Sequence, residues 1–404
     1  MATVARTPRR PLVSAVRREE ARVTPLELFF DLVFVLALTE CTALMAERPT
    51  WTGLAQGLLV LAVLWWSWVG YAWLTSVIDP EEGAVRLAIF AAMAAFLVLA
   101  LCVPGAFGED AVTFAVAYAV VRFMHIALFA LASREEPDLR RSVRGLGGST
   151  AVGVALIGGA AFADAELQGA LWVFAILFDV GGPAVFGVAG WKLVPGHFAE
   201  RHGLIIIIAL GESIVAIGVG VEEAIGTGVI LAAALGIAVA AAQWWLYFDV
   251  VALVAERHLS RARPGRERNS MARDSYSFLH FPMVAGIVLV ALGLKKTVAH
   301  VDDPLKLVPA VALLGGVALY LVAHVAFRLR NVHSLSVQRL VCAALLLALL
   351  PVAVELPALA SLAIVAGVLC ALVTYEALRF AEARDRVRHQ IEHDDKATAD
   401  PVPA

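Results

Sequence analysis

Apolar residues in this chain come in blocks of roughly twenty, set apart by short charged stretches. That spacing limits the fold more than any other feature. A bilayer core about 30 Å thick is crossed by about twenty apolar residues wound into a helix. Only helices and closed barrels satisfy their backbone hydrogen bonds there. The alternating segments of about ten residues that mark barrel strands do not occur in the sequence. Composition agrees, with 60% hydrophobic residues, 17% charged residues and a mean hydropathy of +0.80. A soluble domain is nearer about half apolar and about a quarter charged. The expected fold class is therefore an all-α integral membrane protein with about twelve transmembrane helices.

The apolar blocks predict helices over 25–45, 53–77, 84–106, 111–133, 143–163, 168–190, 203–221, 226–253, 275–293, 306–328, 336–354 and 357–379. Charge distribution orients them. Cytoplasmic loops of membrane proteins collect Lys and Arg. With both termini in the cytoplasm, cytoplasmic segments hold 27 of the 32 basic residues. Outer loops hold Arg48, Lys295, Lys296 and Lys306, and Arg122 falls inside a span. The expected location is the bacterial cytoplasmic membrane. Residues 1–22 carry six arginines and no apolar core, so they read as a basic cytoplasmic leader rather than a signal peptide. Residues 381–404 read as a disordered cytoplasmic tail.

The two halves of the chain resemble each other. Helix one carries Glu27 and Asp31, and helix seven carries Glu212. Helix two has Trp65-Trp66 and helix eight Trp244-Trp245. Helix four has Tyr118, Arg122 and His125, and helix ten has Tyr320 and His324. The expectation is two parallel six-helix repeats, residues 23–195 and 196–380, since an even number of helices per repeat preserves orientation.

Charges within a bilayer are costly and usually face a protein interior with a partner. Glu27 and Asp31 lie four apart on one helix face, and Tyr118, Arg122 and His125 form one stripe. Asp179 and Glu212 fall near the middle of their helices. Asp249 closes helix eight, while Tyr276 with His280 and Tyr320 with His324 share faces. The residues expected to line a polar pathway are Glu27, Asp31, Tyr118, Arg122, His125, Asp179, Glu212, Asp249, His280 and His324. Arg122 needs a carboxylate, and Asp31, Asp179 and Glu212 all qualify. Histidines titrate near neutral pH, so such a set suits proton relay. Equally, buried ion pairs can simply lock helices together. In the run from Trp65 to Trp73, Trp66, Gly70 and Trp73 form one stripe, with Gly70 permitting close approach. Gly315-Gly316 suggests the same for helix ten.

Other chemistries lack their motifs. The five lysines lie at helix ends or outside helices, which excludes a Schiff base within a span. The four cysteines form no CxxC pair, and no helix carries His-x-x-x-His or Glu-x-x-His, so neither a metal nor another cofactor is expected. No Walker loop, nucleophile elbow or selectivity-filter motif is present, and no catalytic activity is expected.

Several segments carry a family resemblance. The stretch from Thr24 to Val35, reading Thr-Pro-Leu-Glu-Leu-Phe-Phe-Asp-Leu-Val-Phe-Val, resembles the opening signature of the bacterial low temperature requirement protein A family. The Trp-Trp-x-Trp-Val-Gly run, Arg122-x-x-His125, His197-Phe198-Ala199-Glu200-Arg201 and Ala209-Leu210-Gly211-Glu212-Ser213 are similar to it too. So are Trp244 to Asp249 and Tyr276 to His280. The resemblance covers roughly residues 20–380. It implies a multi-span bacterial inner-membrane protein linked by name to growth in the cold, and names no molecular activity. From the residues themselves, the leading expectation is a proton-coupled secondary transporter of a small solute or ion. The alternatives are a cation channel or a non-transporting protein of cold adaptation or lipid organisation. The expected partners are the lipid bilayer and a small solute or ion, not nucleic acid.

Overall fold

The computed structural model describes residues 22–81, 83–186, 190–221, 225–382, 384 and 386. Every described element is helical apart from one isolated bridge between Pro304 and Pro357. The helices are α1 (Pro25–Glu47), α2 (Trp51–Thr75), α3 (Gly83–Leu101), α4 (Ala111–Ala132), α5 (Pro137–Ala160), α6 (Ala165–Phe186), α7 (Pro195–Val219) and α8 (Thr227–Phe248). They continue with α9 (Val251–Arg261), α10 (Arg266–Met271), α11 (His280–Ala299), α12 (Leu307–Ala310), α13 (Gly316–Val332), α14 (Val337–Ala348), α15 (Leu350–Ala353) and α16 (Ala358–Arg379). One π-helical stretch, Ala272–Phe278, joins α10 to α11, and another, Val311–Gly315, joins α12 to α13. Among the described residues, eleven helical segments are long and apolar enough to cross a membrane.

Local sequence explains where the helices start and stop. Thr24 and Glu27 form a capping box around Pro25: the Thr24 N–H donates to Glu27 Oε2 at 2.9 Å, and the Glu27 N–H donates to Thr24 Oγ1 at 3.4 Å. The helix expected over 336–354 is divided. Pro351 lacks an N–H and its ring clashes with the preceding turn, so α14 ends at Ala348 and α15 restarts at Leu350. The helix expected over 203–221 begins earlier, at Pro195, whose fixed φ suits a first helical turn. The segment expected as 226–253 ends at Phe248, and the separate α9 follows.

Apolar side chains face outward as well as inward, as lipid-facing helices require. On α4, Val112, Val116, Val120 and Phe123 are exposed at helical spacing, while Phe114, Tyr118, Arg122, His125 and Phe129 are buried. A helix apolar all round belongs in a large core or a bilayer.

The chain forms two compact units. One comprises the described residues up to Ala37 with Ala62–Glu200; the other comprises Leu38–Leu61 with the described residues from Arg201 onward. The chain passes between the units within α1, within α2 and within α7. Small residues set the closest packing in each. In the first, a Cβ at Gly153 of α5 would lie 3.2 Å from the Ala175 carbonyl of α6. In the second, a Cβ at Gly286 of α11 would lie 2.6 Å from the Gly316 carbonyl, and one at Gly316 would lie 2.7 Å from the Gly286 carbonyl. Of the Gly315-Gly316 pair, Gly316 is thus the one at the crossing.

The expected basic leader, up to Ala21, lies outside the described residues, as does the tail beyond Arg386. Of the segment expected to be disordered, Ala381, Glu382, Arg384 and Arg386 have helical backbone. An ion pair holds that turn, with Arg384 Nε 2.6 Å from Asp249 Oδ2.

Candidate functional site

In the first unit the polar residues of α4, α5 and α6 converge on one carboxylate. Asp179 of α6 accepts from Tyr118 OH at 2.6 Å, from Arg122 Nη2 at 2.6 Å and from Thr150 Oγ1 at 2.8 Å. Arg122 Nη2 also donates to Thr150 Oγ1 at 2.9 Å. All four side chains are buried. Of the three acids that sequence offered to Arg122, Asp179 is its partner. The spacing of Tyr118 and Arg122, one turn apart, lets both reach it. Gly153 and Gly182 bring α5 close to α6, so that Thr150 can bond Asp179. Pro183 offers no N–H to the Asp179 carbonyl one turn back.

His125 continues the α4 stripe but stands apart from this network. Its buried ring packs against Tyr71 at 5.5 Å and Phe129 at 5.0 Å, beside the Gly70 backbone. Gly70 makes room for it, since a Cβ there would lie 2.9 Å from His125 Cε1 and 3.1 Å from Arg122 Nη1. Tyr71 OH donates to the Val121 carbonyl at 2.9 Å.

The two acids of α1 have separate surroundings. Asp31 accepts from Trp68 Nε1 at 2.8 Å and is fully buried. Glu27 Oε1 meets His197 Nε2 at 2.8 Å, while its other oxygen serves the capping box. Glu27 thus holds the start of α1 as well as pairing with α7.

In the second unit, Glu212 of α7 is buried and accepts from Thr39 Oγ1 at 2.5 Å. A second cluster gathers around His280. Its Nδ1 faces the Ser275 carbonyl at 3.0 Å, and a carbonyl only accepts. The neutral ring therefore carries its hydrogen on Nδ1, leaving Nε2 to accept from Tyr247 OH at 2.8 Å. Ser275 lies in the π-helical stretch, a feature often found at functional positions. Tyr276 stacks on His280 with centroids 5.1 Å apart, and the His202 ring approaches His280 at 5.2 Å.

His324 belongs to a third group. Arg339 Nη1 lies 2.5 Å from its Nδ1, and arginine is a donor only, so that nitrogen accepts. Arg339 also grips Glu376 with two parallel bonds, Nη2 to Oε2 at 2.6 Å and Nε to Oε1 at 2.8 Å. Bidentate arginine–carboxylate pairs are the strong, geometrically specific kind. Sequence reasoning missed both partners. Arg339 falls at the start of the helix predicted over 336–354 and Glu376 at the end of that predicted over 357–379. No local signal marked them, since a charge near a helix end turns outward as readily as inward.

Beside this pair is a cavity of about 300 Å³. Asp249, Arg339, Glu376 and Arg384 line it, along with Arg328 and Asn331. Asp249 is held by Arg384, whose Nη2 donates to Oδ1 at 2.8 Å. Among the described residues, no three His, Cys, Asp or Glu side chains are placed to hold a metal ion.

Residues 22–374 match the family model described as "Bacterial low temperature requirement A protein (LtrA)". An uncharacterised protein of Rhizobium meliloti (strain 1021) is 29% identical over 311 residues, covering 73% of this chain and 74% of that protein. No solved structure matches the chain.

Proposed function

The chain belongs to the bacterial low temperature requirement A family, and from that premise we propose that it is a proton-coupled secondary transporter of a small solute. The cavity carries the reading. Its volume of about 300 Å³ is at the scale of small-molecule sites. It is walled by three segments of membrane-spanning length, Thr227–Arg261, Leu307–Val332 and α16, together with the shorter α14, and bounded by the Arg339–Glu376 and Asp249–Arg384 pairs. Glu376 and Asp249 are partly buried beside arginines, and carboxylates so placed are parts from which pumps and carriers build proton relays. The protein works in this reading as a carrier and not as an enzyme. It sits in the cytoplasmic membrane with both termini inside.

Two halves read as an internal duplication would fit the proposal. In the first unit the acid of α6, Asp179, holds Arg122 of α4, one turn from His125. In the second the acid of α16, Glu376, holds Arg339 of α14, which reaches His324 of α13. Each half thus sets an acid on its sixth span, an arginine, and a histidine on its fourth. The arginine has changed helix between them. Two such halves are a frequent basis for alternating access.

The first-unit cluster favours a second reading for itself alone. All three polar neighbours of Asp179 bond it directly. Such a network acts as a latch between α4, α5 and α6 rather than as a path.

Purified protein in liposomes carrying a lumenal pH dye tests the proposal. Imposing gradients of a broad panel of small solutes is expected to shift lumenal pH for at least one of them. Glu376→Gln is expected to abolish that shift. Conductance without coupling would instead indicate a channel, and no flux with any solute would remove the transporter reading.

A further inference from the structure

Among the described residues, the charges that line the cavity of the second unit do not cancel. Two carboxylates line it, and each is taken by its own arginine: Glu376 by Arg339 and Asp249 by Arg384, both within 2.6 Å. A third arginine lines it as well. Arg328 of α13 donates through Nε to Ser334 Oγ at 2.7 Å and through Nη1 to Ser336 Oγ at 2.9 Å. Both partners are neutral hydroxyls, so they fix the guanidinium without compensating its charge. The side chain is partly buried, where an uncompensated charge is costly and an incoming opposite charge is favoured.

Apart from Asn331 the rest of the lining is apolar, with Trp245, Val251, Val254, Phe327 and Phe380 among it. Together these walls describe the ligand. We infer that the cavity binds a singly charged oxyanion carrying an apolar body, with Arg328 gripping the oxyanion and the aromatic and aliphatic wall receiving the body. A planar guanidinium pre-oriented by two hydroxyls suits a carboxylate, sulfonate or phosphate oxygen pair. The source is either a free organic anion or the headgroup of an anionic lipid. That the anion is carried rests on the transporter reading; that it binds does not.

Trp245 in the wall supplies a readout. Bromine quenches indole fluorescence on contact. Full-length protein in detergent is titrated with 6-bromohexane-1-sulfonate, with 6-bromohexan-1-ol and 6-bromohexylamine as neutral and cationic controls. Saturable quenching is expected for the sulfonate alone, and Trp245→Phe is expected to remove it. Arg328→Gln is expected to weaken binding at least tenfold, with Arg328→Lys retaining part of the affinity. Ser334→Ala combined with Ser336→Ala leaves the charge but releases its orientation, and is expected to weaken binding less. Equal quenching by the alcohol or the amine would overturn the inference. So would unchanged affinity in Arg328→Gln, or absence of saturable quenching in a protein whose unfolding midpoint is intact.

Nanodiscs distinguish the sources. Trp245 quenching by brominated phosphatidylglycerol but not brominated phosphatidylcholine assigns the site to lipid. Sulfonate quenching that persists in phosphatidylcholine nanodiscs assigns it to a free anion. Saturable sulfonate binding without coupled flux in liposomes would keep the site and remove the transporter. Coupled flux of some other solute without sulfonate binding would do the reverse.

Discussion

Asp179 accepts three hydrogen bonds from three different side chains, and that determines what its loss would do. Asp179→Ala leaves Arg122 buried and unpaired, a change that costs about 3–5 kcal/mol. The unfolding midpoint of the detergent-solubilised protein is expected to fall accordingly. The double substitution Asp179→Leu with Arg122→Met removes both charges and is expected to recover most of that loss, because replacing a buried pair by apolar groups is often close to neutral. If the double variant is as unstable as the single one, the pair is more than a latch. At this scale the sequence was partly legible. The stripe of Tyr118, Arg122 and His125 followed from helical spacing, and so did the faces shared by Tyr276 with His280 and Tyr320 with His324. The choice of Asp179 over Asp31 and Glu212 did not follow, because it depends on which helices touch. Asp31 turns out to be held by Trp68 and Glu212 by Thr39. Thr150, Arg339 and Glu376 went unread because nothing local distinguishes an inward threonine or a near-terminal charge from an outward one.

At the scale of elements, glycine positions decide the closest crossings. The contact of α11 with α13 runs through Gly286 and Gly316, each within reach of the other's carbonyl. Gly286→Val would press a branched side chain onto backbone that cannot yield as a side-chain tip can. Overpacking of this kind costs about 1–3 kcal/mol, and a matching drop in unfolding midpoint is the expected result. Gly367→Ala on α16 is the control, because a Cβ there meets nothing within 4 Å. It is expected to be neutral or slightly stabilising, alanine being the better helix former. An equal loss from both substitutions would show that helix propensity, and not the crossing, is at work. Helix positions were readable from apolar blocks alone. The break before Pro351 follows from proline's missing N–H. The early start of α7 was missed because His197, Glu200, Arg201 and His202 read as a polar loop; three of these side chains, His197, Arg201 and His202, are buried.

For the whole molecule, the claim is that spanning helices enclose a chamber able to exchange protons for a solute. The sequence pointed to the membrane because apolar blocks record the solvent the helices face. It could not locate the cavity, whose walls come from α8, α9, α13, α14 and α16, far apart in the chain. Of the ten residues expected to line a pathway, Asp249 borders the cavity directly and His324 reaches it through Arg339. Coupling between proton and solute must be reciprocal, since linkage works in both directions. The most direct measurement therefore imposes a pH gradient on proteoliposomes and follows radiolabelled hexanesulfonate, a permanently charged anion that cannot carry its own proton across. The account predicts accumulation against the solute gradient, collapsed by a protonophore and lost in Glu376→Gln. Accumulation no greater than in protein-free liposomes, or uptake indifferent to the pH gradient, would contradict it.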